Sequence, residues 1–381
     1  MVRPATGSLR ALPALGLILL ASAIEGQPSA EPLGRADEGV LSPRYEAVVR
    51  RYASGDRGGA VAEMATWPEE LIRNEVPIFN LEGQKQGSNA LNPDTWGSMA
   101  MAALMLHTDC ARQARRDGKP PRLHETAAWS IAHALEERPA LRDFARRWYE
   151  AMAALAQGED RWGEALDWAE RGLRDFPDSA RLLLVTGSIE ETAGVHAAPP
   201  ETREEFGLAD PGTRQVRSSL LQRREVREHL EKAYQALRSA VAADPSLHEA
   251  RLRLGRVAWR LGEAVEARSA LNEVLSRETG GSTAFLAHLF LGQLEEDSGK
   301  PAEAVRSYES ALALDGRSQS ARIALSHARL RLGDPLAARL EVEAAVGAAP
   351  RAEPDAFWLY PWGPSVGFEE RLEALRREAS S

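Results

Sequence analysis

Eight histidines and one cysteine are the side chains of this chain best suited to chemistry, and their spacing argues against it. No His-Glu-x-x-His phrase is present, so the usual helix-borne zinc protease site is missing. His124 and His133 stand nine residues apart on an expected helix, about two and a half turns, and so face opposite sides. His107-Thr108-Asp109 sets an imidazole near an acid as a triad would. No Gly-x-Ser-x-Gly nucleophile elbow accompanies it, and the segment reads as structural. Glu295-Glu296-Asp297 and Glu369-Glu370 are paired acids. Glycosidic chemistry needs two carboxylates facing each other across a cleft, whereas neighbours on one helix face are expected in solvent. Gly280-Gly281 is followed by neither Lys-Ser nor Lys-Thr, so no phosphate-cradling loop is expected. Cys110, beside Met105 and Leu106, reads as a small buried apolar residue. Being alone, it excludes an internal disulfide or a thiolate metal cluster. Neither catalysis nor a cofactor or metal ion is expected.

The elements carrying these residues are helical. Ala, Leu, Arg and Glu, all strong helix formers, recur through the 381 residues, and β-branched runs are nearly absent. With 44% apolar residues a sizeable core can form. The net charge is −9, and it becomes −11 without Arg3 and Arg10. A net acidic chain with no basic block repels phosphate backbones, so nucleic acid is not expected as a partner.

At the start, Arg3 and Arg10 precede the apolar stretch Leu12–Ala23, which closes on Ala21-Ser22-Ala23. That length suits a cleaved export signal and is short for a membrane span. Residues 1–23 are expected to leave, with maturation near Ile24, giving a periplasmic or secreted protein without a membrane span. The breaker-rich residues 24–40 read as a flexible leader.

The chain repeats itself. Gly262-Glu-Ala-Val-Glu-Ala267 returns as Gly299-Lys-Pro-Ala-Glu-Ala304 and as Gly333-Asp-Pro-Leu-Ala-Ala338, at offsets of 37 and 34 residues. Leu254-Gly255, Leu291-Gly292 and Leu325-Ser326 precede the three phrases. Leu271 and Val274, Tyr308 and Ala311, and Val342 and Ala345 follow them. A period near 34 marks stacked helix pairs, with small residues where two helices touch and large ones filling the rest. These positions resemble the tetratricopeptide consensus over residues 246–352, more loosely upstream. The expected architecture is all-α: an irregular helical region over 41–157, a tetratricopeptide-like array over 158–352 interrupted by an insertion at 195–217, and a C-terminal cap over 353–381. The polar stretch 77–92 reads as a long loop. Phe357-Trp358-Leu359-Tyr360-Pro361-Trp362 reads as part of that cap, or alternatively as an aromatic anchor for a partner.

The resemblance implies a concave groove lined by the first helix of each pair, where a segment of another protein would lie. Carried over position by position, the groove residues are Arg181 and Glu191, then Leu252, Arg256, Trp259 and Arg260, then Gln293, Glu296 and Asp297, and last His327 and Arg331. Arg256 and Arg260 beside Trp259 form the most ligand-like cluster, suited to a carboxylate and an apolar side chain together. The Lys and Asn of the family's carboxylate clamp are replaced, the first by Leu184, Leu252, Leu289 or Ile323 and the second by Ser188, Arg256, Gln293 or His327. The expected function is an exported protein-binding scaffold. The alternative is a structural or accessory subunit of a cell-envelope assembly, and the least supported reading is an envelope hydrolase with its site in 77–140.

Overall fold

The computed structural model describes residues 42–76, 93–197, 220–348 and 354–380. The expected signal and leader, the 77–92 loop and nearly all of the 195–217 insertion lie outside the described residues. Among those described there is no strand, and no helix is long and apolar enough to cross a membrane.

The N-terminal part holds α1 (Pro43–Ala53), α2 (Arg57–Met64), α3 (Glu69–Glu75), α4 (Pro93–Arg116), α5 (Arg122–Glu136), α6 (Arg142–Gly158) and α7 (Trp162–Asp175). The starts follow local chemistry. Ser42 caps α1 by accepting the Tyr45 N–H at 3.1 Å, and Pro93 opens α4, where its missing N–H costs nothing. Trp148, Tyr149 and Trp168 pack edge-on in the centre of one large core, which reaches from α1 to the next helix, α8 (Ala180–Ala197).

The array continues with α9 (Leu220–Ala243), α10 (His248–Leu261), α11 (Ala264–Arg277), α12 (Gly281–Asp297), α13 (Pro301–Leu314), α14 (Gln319–Arg331) and α15 (Pro335–Gly347). Helices pair in sequence, α8 with α9 through α14 with α15. Gly262 ends α10 at φ +90°, and Gly299 turns after α12 at φ +72°, a left-handed conformation that glycine adopts without steric cost. The small residues sit where the helices touch. A Cβ on Gly255 would lie 2.9 Å from Leu271, and one on Gly292 would lie 2.4 Å from the Tyr308 ring.

The C-terminal segment comprises α16 (Ala356–Leu359), a 3-10 turn over Tyr360–Ser365 and α17 (Phe368–Glu378). It does not stack on the last helix pair, where a cap is expected. Instead it turns back along the array, and α17 packs on α6 and α4, adding Leu372, Leu375 and Ala379 to the N-terminal core. The reason lies in the ends of the segment. Asp355 accepts Ser318 Oγ at 2.7 Å and Ser320 N at 3.1 Å at the start of α14. At the far end Arg376 pairs with Asp109 at 2.6 Å, Arg57 with Glu373 at 2.8 Å and Arg147 with Glu378 at 2.8 Å. The last pair is left uncovered. Val342 is 44% exposed at the repeat position where Tyr308 is 0%, and Leu336 and Leu340 are exposed beside it.

Gly292→Leu places a branched side chain where Tyr308 already stands, so overpacking should cost on the order of 1–3 kcal/mol or more. Thermal and urea unfolding followed by circular dichroism measure it, and a variant that melts with its parent contradicts the packing described.

Candidate functional site

The returning C-terminal segment packs against α6, α8 and α12 and is tied by Asp355 to the start of α14. Tyr360 is the buried centre of this strap. Its hydroxyl lies 2.9 Å from both carboxylate oxygens of Glu191 on α8. Its ring meets Phe290 of α12 edge-on at 5.2 Å, and the guanidinium groups of Arg253 and Arg256 lie 4.1 and 4.6 Å from its centroid. Both arginines also donate to Glu191, each at 3.0 Å, and Arg253 donates to the Tyr360 carbonyl. Burial raises the Tyr360 phenol pKa and the Glu191 charge adds to the rise, so the phenol keeps its proton and donates. For Arg253, burial disfavours the charged form. Tyr360, Glu249 and Glu191 outweigh it and raise the pKa, so this fully buried guanidinium stays charged.

Just after Tyr360 the strap is held by α6 and by the turn that follows it. Gln157 Nε2 of α6 donates to the Pro361 carbonyl at 3.0 Å, and Trp362 Nε1 donates to Asp160 at 2.7 Å. The strap is an aromatic, proline-containing segment held by two arginines and one buried carboxylate.

The expected groove residues fall into three places. Glu191 and Arg256 are brought together in the buried cluster, and Leu252 is buried in the core of the array. Trp259 is half-buried, with Nε1 donating to Asp297 at 2.9 Å and the Arg260 guanidinium 5.6 Å over its ring. His327 and Arg331 are exposed on α14 and converge on Glu296, His327 Nδ1 at 2.9 Å from its carboxylate and Arg331 donating to its carbonyl at 3.0 Å. Gln293 is half-buried between these groups, and Arg181 is exposed at the start of α8. The Arg256–Trp259–Arg260 cluster is therefore divided, Arg256 turning to the strap and the other two to the distal part of the face.

Two expectations are corrected. Glu295 and Glu296 are buried rather than solvated. Glu295 takes Arg268 at 2.7 Å and Ser307 at 3.0 Å, and Glu296 takes the Tyr308 hydroxyl at 2.9 Å. The strap residues Arg253 and Tyr360 are absent from the expected site. Arg253 follows a groove position by one residue, and Tyr360 sits inside the aromatic run already marked as an anchor.

His107-Thr108-Asp109 forms no triad. His107 is buried between Tyr45 Oη and His124 Nδ1, each at 3.0 Å. Burial holds both imidazoles below their usual pKa, His124 at about 4. Thr108 accepts from Trp148 Nε1 at 2.9 Å, and Asp109 turns away to Tyr52 and Arg376.

Two tetratricopeptide repeat family models match the chain, at residues 227–285 and 290–353. No curated protein matches it in a sequence search. Among solved structures, PilF of Pseudomonas aeruginosa is 16% identical over 63% of this chain and 88% of its own, with a TM-score of 0.42. MamA from Desulfovibrio magneticus RS-1 is 13% identical over 53% of this chain and 94% of its own, with a TM-score of 0.39. A further MamA structure is 17% identical, with 52% and 94% covered and a TM-score of 0.37. Likenesses this distant carry no argument about partner or activity.

Tyr360→Phe keeps the ring and removes the one hydroxyl aimed at buried Glu191. A hydrogen bond to a charged group contributes about 1.5–3 kcal/mol, and the variant should lose stability on that scale in urea unfolding while keeping its helicity. Stability equal to the parent's contradicts the role given to the hydroxyl.

Proposed function

We propose that the chain, which matches tetratricopeptide repeat models over residues 227–285 and 290–353, is a non-catalytic scaffold acting as a structural or accessory subunit of a cell-envelope assembly, joined to its neighbours through the open end of the array. The observation carrying this reading is the strap. It packs on the first helices of the pairs from Glu191 to Phe290, and among the described residues nothing covers the last helix pair. An internal pair buries its apolar face under the next one. Here Leu336, Leu340, Val342 and Val346 stay exposed on α15. The change at one repeat position supports the same reading. Ser269 and Arg306 occupy the place that Leu340 takes in the last repeat, and an exposed apolar patch at a solenoid end favours contact with another protein. The envelope location rests on the Arg-flanked apolar segment ending at Ala23.

A second reading has its own support. Ile323 and Leu330 are each 57% exposed on the concave side of α14, beside His327, Arg331 and the Trp259–Asp297 pair. This distal stretch could hold a short apolar segment of a partner, read together with Gln293 and Glu296.

Photo-reactive residues placed one at a time at Leu340, Ile323 and Val265 separate the readings in the native host. Val265 is the control, 88% exposed on the second helix of an internal pair. A discrete protein adduct from Leu340 and none from Val265 is the expected result. An adduct from Ile323 alone moves the surface to the distal groove, and equal labelling at all three positions overturns both readings.

A further inference from the structure

Away from the concave face, α5 and α7 end beside each other and bring three ligand-type side chains to one point. His133 and Glu136 lie three residues apart on α5, with His133 Nδ1 3.0 Å from Glu136 Oε2. Asp175 is the last residue of α7. One nitrogen or oxygen from each of the three lies within 4.8 Å of the other two. The group is graded in burial: His133 is exposed, Asp175 half-buried, and Glu136 only 3% exposed.

One further feature makes this more than a cluster of acids. The buried Oε1 of Glu136 has no hydrogen-bond partner, although a carboxylate oxygen out of water needs one. The guanidinium of Arg142 serves the ends of α5 and α7 and not the carboxylates. Its N–H groups go to the backbone carbonyls of Glu136 at 3.3 Å and Asp175 at 2.6 Å, and its plane lies 4.9 Å from the Phe176 ring.

We propose that His133, Glu136 and Asp175 form a binding site for a divalent transition-metal cation of the zinc class. One imidazole and two carboxylates are the mixed nitrogen and oxygen set that such ions take, whereas calcium wants six or more oxygens. Three protein ligands leave the fourth tetrahedral position to water. With bonds of about 2.0–2.2 Å the ligand atoms must draw closer together than they stand now. His133 can do so because it is exposed and held on one side by the Trp129 ring, stacked at 6.4 Å, and Asp175 can because it ends its helix.

The test uses the full chain without an affinity tag, treated with a chelator. Zn²⁺ is titrated by calorimetry, and Co²⁺ by its visible absorption. The expected result is one-to-one saturable binding of both ions, weakened by at least about tenfold in His133→Ala and in Asp175→Asn, the loss that even outer-shell changes commonly produce. Glu136→Gln keeps the side-chain shape and should also weaken binding. Circular dichroism verifies that each variant is folded, and His133→Ala, exposed in the parent, is the variant least able to disturb the fold. Absence of saturable binding below about 1 mM, a range far weaker than structural zinc sites, or binding unchanged in His133→Ala and Asp175→Asn, overturns the site.

Discussion

The architecture depends on one buried electrostatic cluster, in which Glu191, Arg253 and Arg256 close around Tyr360. Charges taken out of water must satisfy one another, and an ion left alone in the interior costs several kcal/mol. Glu191 has four lone-pair sites, and the two guanidinium groups and the phenol fill them from three directions. Arg253 finds a second acid in Glu249 at 3.1 Å. Such a cluster adds little to stability over an apolar core of the same shape. It is specific, because any other path for the C-terminal segment would take the Tyr360 hydroxyl from buried Glu191 and the Tyr360 carbonyl from buried Arg253. The path of the chain after residue 353 follows from that constraint.

From it follow the two open surfaces. A segment that crosses the array to reach α4 and α6 cannot also cover α15. The repeats thus share their first helices with the chain's own strap, and the last pair stays exposed among the described residues. The strap also ties the two parts of the molecule together. It is anchored at Ser318 and Ser320 at one end and welded to the N-terminal core by Leu372, Leu375 and four arginine–carboxylate pairs at the other.

The repeats were legible in the sequence because helix packing writes itself locally. Gly255 and Gly292 each have a neighbour to admit, the turn glycines Gly262, Gly299 and Gly333 each take a positive φ, and all recur at near-constant spacing. The start of α4 at Pro93 was legible for the same reason. The strap was not, because its contacts join residues far apart in the chain. Tyr360 reads as a cap residue or a partner anchor until Glu191, on a helix many turns upstream, is placed beside it. Burial of Glu295 and Glu296 was hidden likewise, since adjacent acids look solvated until Arg268, Tyr308 and His327 arrive from other helices. His133 and Glu136 are close in sequence, but Asp175 comes from a different helix pair, so no spacing rule unites the three.

The central claim is that the C-terminal segment turns back and lies on α6 and α8, and a disulfide trap tests it most directly. A Cβ built on Gly158, at the end of α6, stands 3.2 Å from Cβ of Ser365 in the strap. Bridged cysteines have Cβ separations of about 3.5–4.5 Å, so a shift of a few tenths of an ångström suffices. Gly158→Cys with Ser365→Cys, in a Cys110→Ser background, should form an internal disulfide under mild oxidation, seen as faster migration on a non-reducing gel and loss of maleimide labelling. Two thiols that stay reactive in the folded, oxidised protein would show that the segment lies elsewhere.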